Sequence, residues 1–551
     1  MFATEEELGS DTTVVRVKVP TSEPGAPSGG DQYYYVYEVA DGDQVIHYRT
    51  IGQPLSDGRA DRIVSRATRV WLTRRIWLDE HKKLQRDDKG NVVVSEETYV
   101  LKDVWTYCES RLEKNIQDGI FSRLGDKAEI ARRYFLTIVH DGVVTLCDGS
   151  PDVTAVCSED GRTPGVWTHD SHSHRSRSES KDELQMSVAS GSRWNRAEPG
   201  DFGRTECKHR SRKHVRTVFK ECCRPVGELT SFKELFQCLI DIVEGQSLPH
   251  AKTGPVLTQR WMEALNFMRL AGYVHRDVST GNCLYHEGSG KLADLEYAKL
   301  QKDIPQHEPA RVSRRPTQSL CSLTYYVFNL QGTMAFMAVE CLRRKYLFRP
   351  RSAPGEAYRR ENFAQHFLHD LESVYWLYLW FVYSRVPRHA LEDFKPNATE
   401  PRTLSKAADN LIRSWEQLFR VADTSRKRDL LDKTGAEAQQ ERFELLFIYG
   451  EACGRLLEPI FFIGHLATEY ARLQEHPRKG SDGRWRLEGF TGALHERFQQ
   501  DLREALDALG DDDYSVVDVV TVMEGEGSTA GSTRKRGASS VDEDEREAKR
   551  R

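Results

Sequence analysis

No stretch of this 551-residue chain offers the roughly 20 consecutive apolar residues that a membrane-spanning helix needs. The most apolar run, VYWLYLWFVY at 374–383, has only ten residues and reads as a buried helix. Cysteines number eleven, an odd and scattered set with no C-x-x-C and one adjacent pair, Cys222-Cys223. That pattern excludes a disulfide framework and a cysteine zinc site, and reduced thiols inside the cell are expected. The opening MFATEEELGS is acidic and has no apolar core, so a secretory leader is not expected. A net charge of −5 is small for this length, and neither a nucleic-acid nor a membrane partner is expected.

What is present is a mixed composition, 38% hydrophobic and 30% charged, in a chain too long for one typical core. Residues 1–30 read as a flexible lead-in ending in SEPGAPSGG. QYYYVYEV, DQVIHYRTI and NVVVSEETYVLKDVW are aromatic and β-branched runs that predict strands. SRLEKNIQDGIFSRL has helical spacing, with Leu112, Ile116, Ile120 and Leu124 on one face. A Ser/Arg/His-rich stretch at about 163–213 has too little aliphatic surface to offset its ordering entropy and reads as a disordered insertion. The Asp-Phe-Gly at Asp201–Gly203 lies inside it and so carries no weight. The expected layout is a β-rich lobe over 31–220, a helical lobe over 221–510 and a disordered tail over 511–551.

The chemistry concentrates in GYVHRDVSTGNCLYHEGSGKLADLEYAKL, residues 272–300. NCLY and KLAD are strand-like runs joined by HEGSG, a loop of hairpin length. Antiparallel pairing is expected to bring Asn282 and Asp294 to matching outer ends, an amide oxygen beside a carboxylate. Hard cations such as Mg²⁺ take such ligands. Asp277, five residues before Asn282, is placed to accept a proton from a hydroxyl attacking a phosphoryl group. Phosphoryl transfer also needs fixed positive charge, and TYVLKDVW supplies Lys102 on a strand. The helix after it supplies Glu113 as partner, with Glu109 as an alternative. Each residue alone is equally a turn former or a solvated charge; the ordered set carries the reading. GTMAFMAVE at 332–340 has the form of a segment closing an activation loop, with Val339 in place of proline. Asp370, at the start of the apolar helix, is expected to hydrogen-bond the loop that carries Asp277.

Taken together, RKHVRTVFKECCRPVGELTSFKELFQCLIDIVEG, HRDVSTGNCL, LADLEYAK, GTMAFMAVE and HDLESVYW resemble the fungal-type protein kinase family over roughly residues 60–400. The resemblance implies an α+β, bilobal protein kinase-like fold and ATP- and Mg²⁺-dependent transfer to Ser/Thr hydroxyls of a protein substrate. It implies Lys102 on the ATP phosphates, Glu113 as its partner, Asp277 as catalytic base, and Asn282 and Asp294 as Mg²⁺ ligands. Glu221 to Cys223 become the hinge near adenine, and Asp294-Leu295-Glu296 replaces Asp-Phe-Gly. The stretch SRATRVW, with Ser65, Ala67 and Val70, takes the place of the glycine-rich phosphate loop. Ser65 and Ala67 stand where glycines would let the backbone approach phosphate, and Ser279 stands where such kinases place a lysine.

The residues leave two alternatives open. One is a pseudokinase that binds or scaffolds without turnover. The other is a small-molecule phosphotransferase, since DVSTGN also fits the loop of aminoglycoside and choline kinases, although the Ala-Val-Glu segment speaks against it. Arg534-Lys535-Arg536 and Lys549-Arg550-Arg551, separated by twelve residues, resemble a bipartite import signal, so nucleus or cytoplasm is the expected compartment.

Overall fold

The computed structural model describes residues 11–18, 33–42, 44–57, 66–81, 83–88, 92–146, 148–154, 211–243, 264–304, 333–348, 363–387, 410–420, 424–431, 435–475, 486, 489–509 and 515–518. Ser65, the Asp-Phe-Gly at 201–203, most of the 163–213 stretch and the basic clusters of the tail lie outside them. The chain forms two compact units, one drawn from Met1–Ser110 and His140–Val218, the other from Arg111–Val139 and Phe219–Arg551.

The first unit is built on a seven-stranded sheet in the order β1-β2-β3-β4-β5-β7-β6. The strands are β1 (Val14–Lys18), β2 (Tyr33–Asp41), β3 (Gln44–Asp57), β4 (Arg69–Ile76), β5 (Tyr99–Tyr107), β6 (Ile138–Val143) and β7 (Arg212–Phe219). Strand β2 shows why: Tyr34, Val36, Tyr37 and Val39 are buried, and such side chains pack well on a pleated surface. The lead-in expected to lack structure instead carries β1, paired antiparallel with β2. An ion network pins it. Arg216, 1% exposed, binds Asp11 and Asp103, and its Nη1 donates to the Glu38 carbonyl at 2.7 Å. Buried charges persist only when paired in this way.

The second unit is mainly helical: α1 (Glu113–Leu124), α2 (Ala128–Ala131), α3 (Phe232–Val243), α4 (Ala264–Ala271), α5 (Val339–Arg343), α6 (Phe367–Ser384), α7 (Thr424–Leu430), α8 (Ala436–Tyr449), α9 (Phe462–Glu475) and α10 (Ala493–Leu509). Helix α1 has the expected apolar face, with Ile116, Ile120 and Leu124 buried, but it groups with these helices and not with the strands around it in sequence. Helix α6 is buried along all 18 residues and forms the centre of the core. Its tyrosines can be buried because their hydroxyls find carbonyls: Tyr375 bonds Ile460 at 3.2 Å and Tyr378 bonds Leu456 at 2.8 Å. Residues 516–518, expected to be disordered tail, form a strand paired with Arg385–Pro387. No helix among the described residues is long and apolar enough to cross a membrane.

Candidate functional site

The second unit holds the loop–hairpin region that the sequence singles out. Strands Cys283–His286 and Ser289–Leu292 pair antiparallel, Cys283 opposite Leu292. The turn is two residues, Glu287 (φ 45°) and Gly288 (φ 85°), both left-handed as a tight hairpin turn requires. This corrects the expected register, because the connection is shorter than the five-residue loop HEGSG. Asn282 lies opposite Ala293, whose N–H donates to the Asn282 carbonyl at 2.9 Å, and Asp294 falls one residue further along. Gly290 permits the hairpin to rest on α3, since a Cβ there would lie 2.4 Å from the Cys238 carbonyl oxygen. The Gly290 N–H also donates to Asp241 at 2.8 Å.

Hydrogen bonds assemble the rest. The Asn282 side-chain nitrogen donates to the Asp277 carbonyl at 2.8 Å, which leaves the amide oxygen to accept or ligate. Buried His275 donates from Nε2 to the Ala293 carbonyl at 3.0 Å and accepts the Asp277 N–H on Nδ1 at 3.3 Å. Those two bonds describe a neutral ring, and burial pulls its pKa down to match. Asp370, at the start of α6, accepts the N–H groups of His275 at 2.7 Å and Arg276 at 2.9 Å, as expected of it. Arg276 is held at φ 74°, a costly angle for a side chain with a Cβ. Its guanidinium is fixed as well, donating to Gln365 at 2.9 Å and to the Tyr297 carbonyl at 3.3 Å. Asp294 also adopts the left-handed region, φ 58° and ψ 62°. Glu113 Oε1 accepts the N–H of the next residue, Leu295, at 3.1 Å.

Glu221 to Cys223 lead into a short strand, Arg224–Pro225, which pairs with Cys283–His286 as the third strand beside the hairpin. The Glu221 carboxylate accepts the N–H and the hydroxyl of Thr137, both at 2.8 Å, and pairs with Lys291 at 3.3 Å. Burial opposes its charge, but these partners outweigh burial and hold its pKa below the usual range. Burial pushes the Cys223 thiol up to about 12, so it is protonated at neutral pH.

Lys102 belongs to the first unit, and Glu113 to the second. On strand β5, Lys102 is 9% exposed and lies directly opposite Val70 of β4, so the two share one face of the sheet. Ala67, just before β4, has φ 42°, a backbone shape that suits glycine.

One further group could hold a metal: Glu340, His366 and His369 place ligand atoms within 4.8 Å of one another. Its tautomers speak otherwise. The His366 backbone N–H donates to His369 Nδ1 at 3.0 Å, so His369 carries its proton on Nε2, which faces Glu340 Oε2 at 3.2 Å. Both nitrogens of His369 are thus engaged, and burial draws its pKa down to about 3.

Residues 1–256 and 262–382 match the family model described as fungal protein kinase. A search of curated proteins found no match. The family match spans more than half of the chain, including the hairpin, His275, Asp277 and the start of α6, and the chain therefore belongs to the fungal protein kinase family.

Proposed function

We propose that this chain transfers the γ-phosphoryl group of ATP to hydroxyl groups of a protein substrate, in a Mg²⁺-dependent reaction. The observation that carries the reading is the hydrogen-bonded joining of Asp277, Asn282 and the Ala293-Asp294 pair in one loop–hairpin unit. Catalytic groups need such fixing, because phosphoryl transfer relies on positioning and electrostatics. Asp277 accepts the proton of the attacking hydroxyl as its oxygen bonds to the γ-phosphorus and the bond to the bridging oxygen of ADP breaks. The Asn282 amide oxygen and the Asp294 carboxylate are hard oxygen donors that would hold Mg²⁺, and the ion would supply positive charge to offset that of the phosphates. Lys102 is assigned to the phosphates and Val70, on the same sheet face, to the nucleotide. Glu221 to Cys223 are assigned to the adenine end.

A second reading, a pseudokinase that binds nucleotide or partner without turnover, draws support from Ala67 in a glycine-type backbone shape and from Ser279 in place of a lysine. Calorimetry with ATP, with and without Mg²⁺, tests the binding half of the proposal. Mg²⁺-dependent heat that is lost in Asp294→Ala supports it, and binding indifferent to both Mg²⁺ and that substitution refutes the metal assignment.

A further inference from the structure

Two buried anchors grip the stretch Ala335–Val339 from opposite ends. Lys427 on α7 has no exposed surface, and its Nζ donates to the Ala335 carbonyl while lying 4.6 Å above the Trp376 ring. At the other end, Glu372 on α6 accepts the Val339 N–H at 2.8 Å. Glu372 is fixed in turn by Trp376 Nε1–H at 3.0 Å and the Tyr470 hydroxyl at 2.7 Å. Between the anchors, Met337 and Ala338 line a small pocket together with Arg276, Asp277 and Val278. The Met337–Ala338 part of that lining is therefore held by Lys427 and Glu372, neither of which lines the pocket.

Lys427 is an expensive choice for this place. Its neighbours are the rings of Trp376 and Phe419, and a methionine would fill such a space with no charge to desolvate. Burial pulls its pKa down to about 7, with the Glu372 carboxylate opposing. What the ammonium supplies, and a thioether cannot, is a charge-assisted bond to a backbone carbonyl. Lys427 also lies outside the residues matched by the family model, which end at 382, so the match says nothing of its role.

We propose that Lys427 is a positioning residue for the protein substrate: through Ala335 it fixes the Met337–Ala338 wall against which the acceptor hydroxyl is presented to Asp277. The inference rests on the kinase reading of Asp277. Lys427→Met should raise the KM for casein as acceptor on the order of tenfold, the scale of one charge-assisted hydrogen bond, with the KM for ATP within about twofold. Amide hydrogen exchange over residues 333–343 should quicken in the same variant. An unchanged acceptor KM together with unchanged exchange overturns the proposal. Should Lys427→Met not fold, Met337→Ala carries the test, and an acceptor KM equal to the parent's again overturns it. Absence of phosphotransfer by the parent chain would refute the kinase reading instead. Exchange over 333–343 would then still decide whether Lys427 holds this segment.

Discussion

Glu113 Oε1 accepts the backbone N–H of Leu295 at 3.1 Å, so a side chain from the first turn of α1 holds the residue next to Asp294. The bond is buried and joins segments 182 positions apart. It gives Glu113 work that needs an acceptor rather than a charge. Glu113→Gln is therefore expected to keep most of the Mg²⁺-dependent nucleotide affinity, and Glu113→Ala to lose on the order of tenfold, because a buried N–H is left without its acceptor. Calorimetric titration separates the two; equal losses in both variants would show that the charge matters and the hydrogen bond does not.

Asp370 has a comparable task with two N–H groups at once, those of His275 and Arg276. Burial raises its pKa, and the two backbone bonds favour its charged form. Asp370→Ala should cost about 2–4 kcal/mol, because one buried and one part-buried N–H lose their acceptor. Urea unfolding measures it, and a loss under about 1 kcal/mol would mean the loop carrying Asp277 is held by other bonds.

Ala67 stores strain that glycine would not, because φ 42° brings its Cβ toward the following carbonyl. Ala67→Gly should stabilise the chain by about 1 kcal/mol. Combined with Ser65→Gly it should also tighten ATP binding. A double variant with unchanged calorimetric affinity would show that residues 65–70 do not cover the phosphates.

His214 makes the first unit sensitive to alkali. Burial works against its charge, but hydrogen bonds to Asp103 at 2.7 Å and Asp152 at 3.0 Å outweigh it and raise the pKa from 6.5 to about 9. A raised folded-state pKa contributes stability that is whole below pH 6.5 and disappears as pH rises through about 9. Exchange protection in β5 and β7 should fall across that window, and His214→Gln should remove most of the slope. A slope that survives the substitution would place the titration elsewhere.

Much of the helical unit was legible, because α6 is apolar all round and α1 repeats its apolar face every third or fourth residue. The order His275, Asp277, Asn282 and Asp294 was legible too, since a hairpin needs little more than two short strands and a glycine. Its register was not: Glu287 occupies a left-handed turn position that only Gly, Asn or Asp would have announced. Strand β1 was missed because Arg16 and Lys18 interrupt its short apolar pattern, and its anchor Arg216 lies some 200 residues away. Buried ions such as Arg216, Asp103 and Lys427 look like ordinary surface charge in a sequence. Only their partners, brought in from distant segments, mark them as interior.

The most direct measurement is transfer of radiolabelled phosphate from ATP by the purified chain, in Mg²⁺, beside its Asp277→Asn variant. Asparagine preserves the shape of the side chain and removes the proton acceptor. Incorporation by the parent is expected, with a fall of about 10²-fold or more in the variant and nucleotide binding retained. Equal incorporation by both chains would contradict the assignment of Asp277 as the base, and with it the placement of the active site on this loop.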